Sequence, residues 1–283
     1  MKLSTISTQK VLHVSPKDSF DRAITMMEEH GFHHLPVVEG GKVVGMLSDR
    51  DLLLAVGWKL ESERRVDGNR RAVVGPREVG VVMSTPVVCL SPEDDLHTAA
   101  RTMIEHGISA IPLVTGSALV GIVTKIDLLR GMCESKPPVV KLERLSESVS
   151  RHMRHHVFTV GPKDALHVAA RMMHDKHVRH LPVTVDTLLV GILSDRDIRR
   201  ACGREIIEDE QAERQGRVYA GSDRVMDVMT SQVQFVGPSS TVRDAAKKML
   251  EHRIGAVPVV AGEILVGMLT HTDILRLIAD SPC

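Results

Sequence analysis

The chain has 283 residues, room for about two domains of ordinary size, and its 36 Lys and Arg are balanced by 36 Asp and Glu. Zero net charge argues against a protein whose main work is to grip nucleic acid or an anionic membrane, and 2% aromatics leave few platforms for stacking bases. The four dispersed cysteines (Cys89, Cys133, Cys202, Cys283) form no C-x-x-C pair, which argues against zinc ribbons and dithiol redox motifs and fits a reducing cytoplasm. The first ten residues, MKLSTISTQK, hold no apolar run of the secretory kind.

Read in chain order, the elements recur four times. A β-like run ends at Pro16 (VLHVSP), and a helix follows with apolar residues at Phe20, Ala23, Ile24 and Met27. It runs out near EHG. Two strands and a tight turn come next (HLPVV-EGGK-VVGMLS), then a second helix expected to open at Asp51. A charged connector separates this first repeat (1–60) from the second. That connector, 61–78, holds ESERR and NRR. The second repeat (79–132) has Pro92, the helical set Leu96, Ala99, Ala100 and Met103, the strand proline Pro112, and Asp127. Gly107 to Thr124 carries no formal charge over eighteen residues. Its proline, three glycines and four Ser/Thr predict two short strands and a turn rather than a membrane helix.

The connector 133–147 contains Pro137-Pro138. The third repeat (148–202) repeats the order with Pro162, Leu166, Ala169, Ala170, Met173, Pro182 and Asp197. After a third connector (203–222), the fourth (223–280) has Pro238, Val242, Ala245, Ala246, Met249, Pro258 and Asp273. In every copy the first proline and the aspartate are 35 residues apart, and the two halves repeat at 146. The predicted fold is mixed α/β: four β-α-β-β-α repeats, each too small to bury a core alone, working as two pairs.

Strand-proline-helix, then LPVV, IPLV, LPVT and VPVV, then V-G followed by two hydrophobics and [ST]-x-x-D, strongly resembles the CBS domain. The resemblance covers the chain outside the connectors. It implies two paired (Bateman) modules stacked as a pseudo-symmetric disk, similar to the γ subunit of AMP-activated protein kinase. It further implies clefts that bind adenosine-containing ligands, catalysis residing on another polypeptide, and association as a homodimer.

On that resemblance the ribose-binding aspartate falls on Asp51, Asp127, Asp197 and Asp273, with the preceding hydroxyl on Ser48, Thr124, Ser194 and Thr270. The same [ST]-x-x-D spacing reads equally as a helix-capping box, and the two readings are compatible. Before the second proline, repeats one and three carry basic residues (His33-His34 and Arg179-His180, each beside Arg50 or Arg196 further on), expected to meet phosphates. Repeats two and four carry Ile108-Ser109-Ala110 and Ile254-Gly255-Ala256, small enough to admit a purine. The adenine edge is expected at Met83–Thr85 and Met229–Ser231. The clefts of Asp127 and Asp273, facing the bulky Phe32-His33 and Val178-Arg179, are expected to be the weaker sites.

The expectation is a cytoplasmic regulator that binds AMP, ADP or ATP, with or without Mg, requires no other cofactor, and signals to a partner protein. The alternatives are an S-adenosylmethionine sensor, a scaffold with empty clefts, and a metal-dependent hydrolase. The last would use His174-x-x-His177-x-x-His180 and His152-x-x-His155-His156, which read as solvated basic edges with no completing carboxylate or cysteine. No phosphate loop, nucleophile elbow or H-E-x-x-H is present.

Overall fold

The structure, a computed structural model, describes residues 1–52, 78–134, 142–202 and 224–280. The connectors 61–78 and 203–222 thus lie outside the described residues except for Glu78. The chain divides into two compact units, Met1–Leu128 and Leu129–Cys283. The first unit holds repeats one and two, the second repeats three and four.

Repeat one comprises helix α1 (Phe20–His30) and the hairpin β1 (His34–Glu39) and β2 (Lys42–Ser48); a second helix opens at Asp49. Repeat two follows with α2 (Leu96–Glu105), β3 (Ala110–Thr115), β4 (Ala118–Thr124) and α3 (Lys125–Glu134). A short α4 (Leu142–Ser146) leads into repeat three: α5 (Leu166–Asp175), β5 (His180–Val185), β6 (Leu188–Ser194) and α6 (Asp195–Cys202). Repeat four is α7 (Val225–Val228), α8 (Val242–His252), β7 (Ala256–Ala261), β8 (Ile264–Thr270) and α9 (His271–Ala279). The uncharged run 107–124 contains the β3–β4 hairpin, as its proline and glycines predict.

The helical spacing places its apolar stripe in the cores: Phe20, Ala23 and Met27 in α1, and Leu96, Ala99, Ala100 and Met103 in α2, are buried. Helices α5 and α8 bury Leu166, Ala169 and Met173, and Val242, Ala245, Ala246 and Met249. Ser19, Asp95 and Thr241 cap α1, α2 and α8 by accepting from the backbone three residues on. The helices α1 and α8 end at Gly31 and Arg253 in the left-handed region. His177 adopts the same φ sign just past α5, a position that suits glycine far better than histidine.

Two sequence expectations change. The run before each first proline is not a full strand. It makes a single parallel bridge to the hairpin (Val14 to Val37, Leu90 to Leu113, Val160 to Val183, Val236 to Val259), because the chain turns off at the proline, which has no N–H to continue a ladder. The second helices begin two residues before the aspartate, because the hydroxyl residue is the cap and the aspartate stands at the third helical position.

Each pair is knitted by reciprocal exchange of the segment that leads into the repeat. In the first unit Thr8 exchanges backbone bonds with Ile122 of repeat two (3.0 and 2.9 Å), and Ser84 with Met46 of repeat one (2.7 and 3.1 Å). In the second, Arg154 pairs with Met268 (2.8 and 3.0 Å) and Thr230 with Ile192 (2.9 and 3.0 Å). The exchange carries core side chains with it. Val79 belongs to the core of repeat one, and Val225 to that of repeat three, both without exposed surface. In the second unit the hairpins also meet at Leu188 and Ile264, giving the sheet order β5-β6-β8-β7.

The recurrent V-G glycine follows from this. The residue after it takes the backbone bonds of the exchanged segment, so a side chain at the glycine would meet that segment. A Cβ on Gly45 would lie 2.6 Å from Met83 Sδ, and one on Gly267 would lie 2.5 Å from Met153 Sδ and 3.0 Å from the Arg154 carbonyl.

Candidate functional site

Four copies of one local motif open the second helices. The Asp51 carboxylate accepts through Oδ2 from Ser48 N (2.8 Å) and Ser48 Oγ (2.6 Å), while Ser48 Oγ accepts from Asp51 N (3.2 Å). Asp197 repeats this with Ser194 at 2.8, 2.5 and 3.3 Å. Thr124 with Asp127 gives 2.9, 2.6 and 3.4 Å, and Thr270 with Asp273 gives 3.0, 2.6 and 3.4 Å. All four are capping boxes, so one oxygen of each carboxylate is committed to the helix start.

The second oxygen distinguishes them. Asp51 and Asp197 are half-buried, and their Oδ1 atoms accept no hydrogen bond from the described residues. Asp127 and Asp273 are buried, at 9% and 6% exposure. Asp273 Oδ1 accepts from Arg154 Nε at 3.2 Å and from Arg276 Nη1 at 3.1 Å. A carboxylate with one oxygen fixed and one open at the surface can accept the hydroxyls of a diol; one held by two guanidiniums has no capacity to spare.

The residues before each hairpin are tied to the same helix starts. The carbonyls of His33, Ser109, Arg179 and Gly255 accept from the N–H of Asp49, Lys125, Asp195 and His271 at 3.0–3.1 Å. The next residues, His34, Ala110, His180 and Ala256, stand opposite Ser48, Thr124, Ser194 and Thr270 in the hairpin register. The backbone before each hairpin therefore lies beside the start of the helix that carries the carboxylate of the same repeat. Arg50 and Arg196 are exposed on the first helical turn, and Ile108 and Ile254 are half-buried beneath the hairpins.

Three assignments change. His180 does not serve as a phosphate ligand: its ring lies against Gly255, where a Cβ would come within 3.2 Å of His180 Cε1. Burial pushes its pKa down to about 4, so it is neutral near pH 7, whereas its neighbour Arg179 is exposed. For the same reason Gly255 makes room for an imidazole rather than a purine. His33 Nδ1 is 3.1 Å from Asp49 Oδ2, so this histidine meets a carboxylate of its own chain before any phosphate. Met83 and Met229 are half-buried against Gly45 and Gly191 at the cores of repeats one and three, leaving Ser84 and Thr85, and Thr230 and Ser231, as the exposed members of the adenine-edge sets.

The role of Arg154 was missed. Its signal is present in the repeat alignment: Thr8, Ser84 and Thr230 stand at the equivalent position, and only repeat three has a cation there. In the histidine runs, His152 Nε2 is 2.6 Å from Glu147 Oε2 and His174 Nδ1 is 3.2 Å from Asp175 Oδ1. No group of three or more His, Cys, Asp or Glu that could hold a metal ion occurs among the described residues. No described helix is long and apolar enough to cross a membrane. Burial raises the pKa of the free thiols of Cys89 and Cys133.

Known proteins give the same picture of the repeat. The family model of the CBS domain matches residues 3–57, 77–134, 148–204 and 225–280. The MJ1404 protein of Methanocaldococcus jannaschii is 29% identical over 97% of this chain, which spans 61% of that protein's length. MJ1225 from the same organism is 25% identical over 96% of both chains. Its crystal structure, proposed as an archaeal homologue of the AMP-activated kinase γ subunit, superposes with a TM-score of 0.76 at 24% identity over 98% of this chain and 99% of that one. A conserved protein of Pyrococcus horikoshii gives 0.67 at 22% identity over 98% and 100%. With four matches that span most of its length, the chain belongs to the CBS-domain family.

Proposed function

We propose that the chain is a regulatory sensor of adenine nucleotides, with Asp51 and Asp197 as its ribose-binding groups. The observation that carries this reading is the open second oxygen of these two half-buried carboxylates, each beside a hydroxyl-capped helix start. A helix N-terminus favours an anionic phosphate placed nearby, and Arg50, Arg179 and Arg196 supply exposed cations. Adenine would sit towards Thr85 and Ser109 in the first unit and towards Ser231 in the second. No cofactor is required, and Mg enters only with a polyphosphate.

In this reading the protein acts in the cytoplasm and has no catalytic step of its own, its helix-opening carboxylates serving caps and ligand hydroxyls. Ligand state passes to a regulated partner protein, with the chain itself a homodimer. Equilibrium dialysis against AMP, ADP, ATP and S-adenosylmethionine tests the reading. Saturable binding of a nucleotide is expected, and binding of S-adenosylmethionine alone would replace the ligand class. Overnight incubation with ATP should leave it intact; metal-dependent release of ADP or phosphate would establish a hydrolase instead.

A further inference from the structure

Asp273 is the most enclosed of the four helix-opening carboxylates, and it is met by two arginines of different origin. Arg276 lies one turn along the same helix. Arg154 comes from the exchanged segment of repeat three, 119 residues earlier, and its backbone is bonded in both directions to Met268. The guanidinium is therefore delivered to Asp273 by a backbone bridge, not by the chance reach of a long side chain. Both arginine side chains are about half exposed (49% and 51%), so they stand between the buried carboxylate and solvent. A neutral diol offers a carboxylate two uncharged donors, whereas the two guanidiniums offer charged ones already in place.

We infer that Arg154 and Arg276 form an internal latch that closes the repeat-four cleft to ribose-containing ligands, and that Arg154 decides which carboxylates of the second unit are available. This rests on the reading of Asp51 and Asp197 as ribose-binding groups. At the positions equivalent to Arg154 the other repeats carry Thr8, Ser84 and Thr230, none of them a cation.

The test counts bound AMP per chain by equilibrium dialysis with radiolabelled AMP, in wild type, R154S, R276A and the double variant. R154S installs the residue type that repeat two carries at this position. The double variant is expected to bind one AMP more per chain than wild type, and adding D273N should remove the extra one. An unchanged count in a folded double variant overturns the latch. If wild type binds no AMP, the reading of Asp51 and Asp197 falls, while the latch is still decided by whether the double variant gains a site. Should the double variant lose its cooperative melt, the single variants answer the question: each is expected to gain a site at least tenfold weaker than those of wild type, and a gain in neither overturns the latch.

Discussion

Replacing Gly267 by alanine perturbs the exchange of segments between repeats where the V-G glycine comes nearest to the exchanged backbone. The new methyl would stand 2.5 Å from Met153 Sδ, 3.0 Å from Met153 Cγ and 3.0 Å from the Arg154 carbonyl oxygen. The thioether can swing away, because methionine has three flexible torsions. The carbonyl cannot, because it accepts from Met268 N at 3.0 Å and its own N–H donates to Met268 O at 2.8 Å. Overpacking of this kind costs about 1–3 kcal/mol, offset by about 0.4–1 kcal/mol from the less flexible unfolded chain. A net loss of about 2 kcal/mol is expected. Gly191 is the control: the three atoms nearest to its Cβ would all belong to the side chain of Met229, with Cγ at 3.1 Å, Cε at 3.3 Å and the sulfur closer still. Gly191→Ala should therefore lose less than about 1 kcal/mol, since methionine can repack. Both glycines lie in the second unit, so the same urea transition followed by far-UV circular dichroism reports on both. If Gly191→Ala proves as damaging as Gly267→Ala, the bridged carbonyl is not what makes the glycine necessary.

Three further outcomes follow from the same geometry. His180 is neutral in the folded state down to about pH 4, while in the unfolded chain it takes up a proton below about 6.5. Its contribution to stability is thus intact above about pH 6.5 and lost as pH falls towards 4, at up to about 1.4 kcal/mol per pH unit, and His180→Asn should flatten urea midpoints across that window. Arg253→Gly and His177→Gly should each stabilise the protein by about 0.5–1 kcal/mol, because both positions have left-handed φ; a lower melting temperature in both would contradict this. Ser48→Ala should cost about 1 kcal/mol of stability through the lost cap, read as a shift in urea midpoint in the first unit.

Local pattern carried much of this fold. Helical spacing marked Met103 and Met249 as core, the uncharged run 107–124 resolved into a hairpin, and [ST]-x-x-D marked the capped start of all four second helices. What local pattern could not carry depends on which repeat a segment docks against. The segment before Val14 reads as a strand of its own repeat, yet Thr8 bonds to Ile122 of the next one. The same blindness affected the site. His180 looks like a phosphate ligand beside Arg179, and only its contact with Gly255, 75 residues later, shows it to be packing. Asp273 was ranked below Asp51 for the bulk of neighbouring residues, whereas the structure shows a saturated carboxylate.

The central claim is that Asp51 and Asp197 hold a ligand's ribose in addition to capping their helices. Nucleotide affinity and melting temperature measured side by side for Asp51→Ala, Asp197→Ala and Asp273→Ala test it most directly. Loss of a charge-assisted contact of roughly 1.5–3 kcal/mol predicts about ten- to hundredfold weaker binding at one site each for Asp51→Ala and Asp197→Ala. Asp273→Ala should lower the melting temperature and leave affinity unchanged, since its carboxylate serves the cap and two arginines. Lower melting temperatures in all three variants, with affinity preserved throughout, would reduce the four aspartates to helix caps and contradict the account.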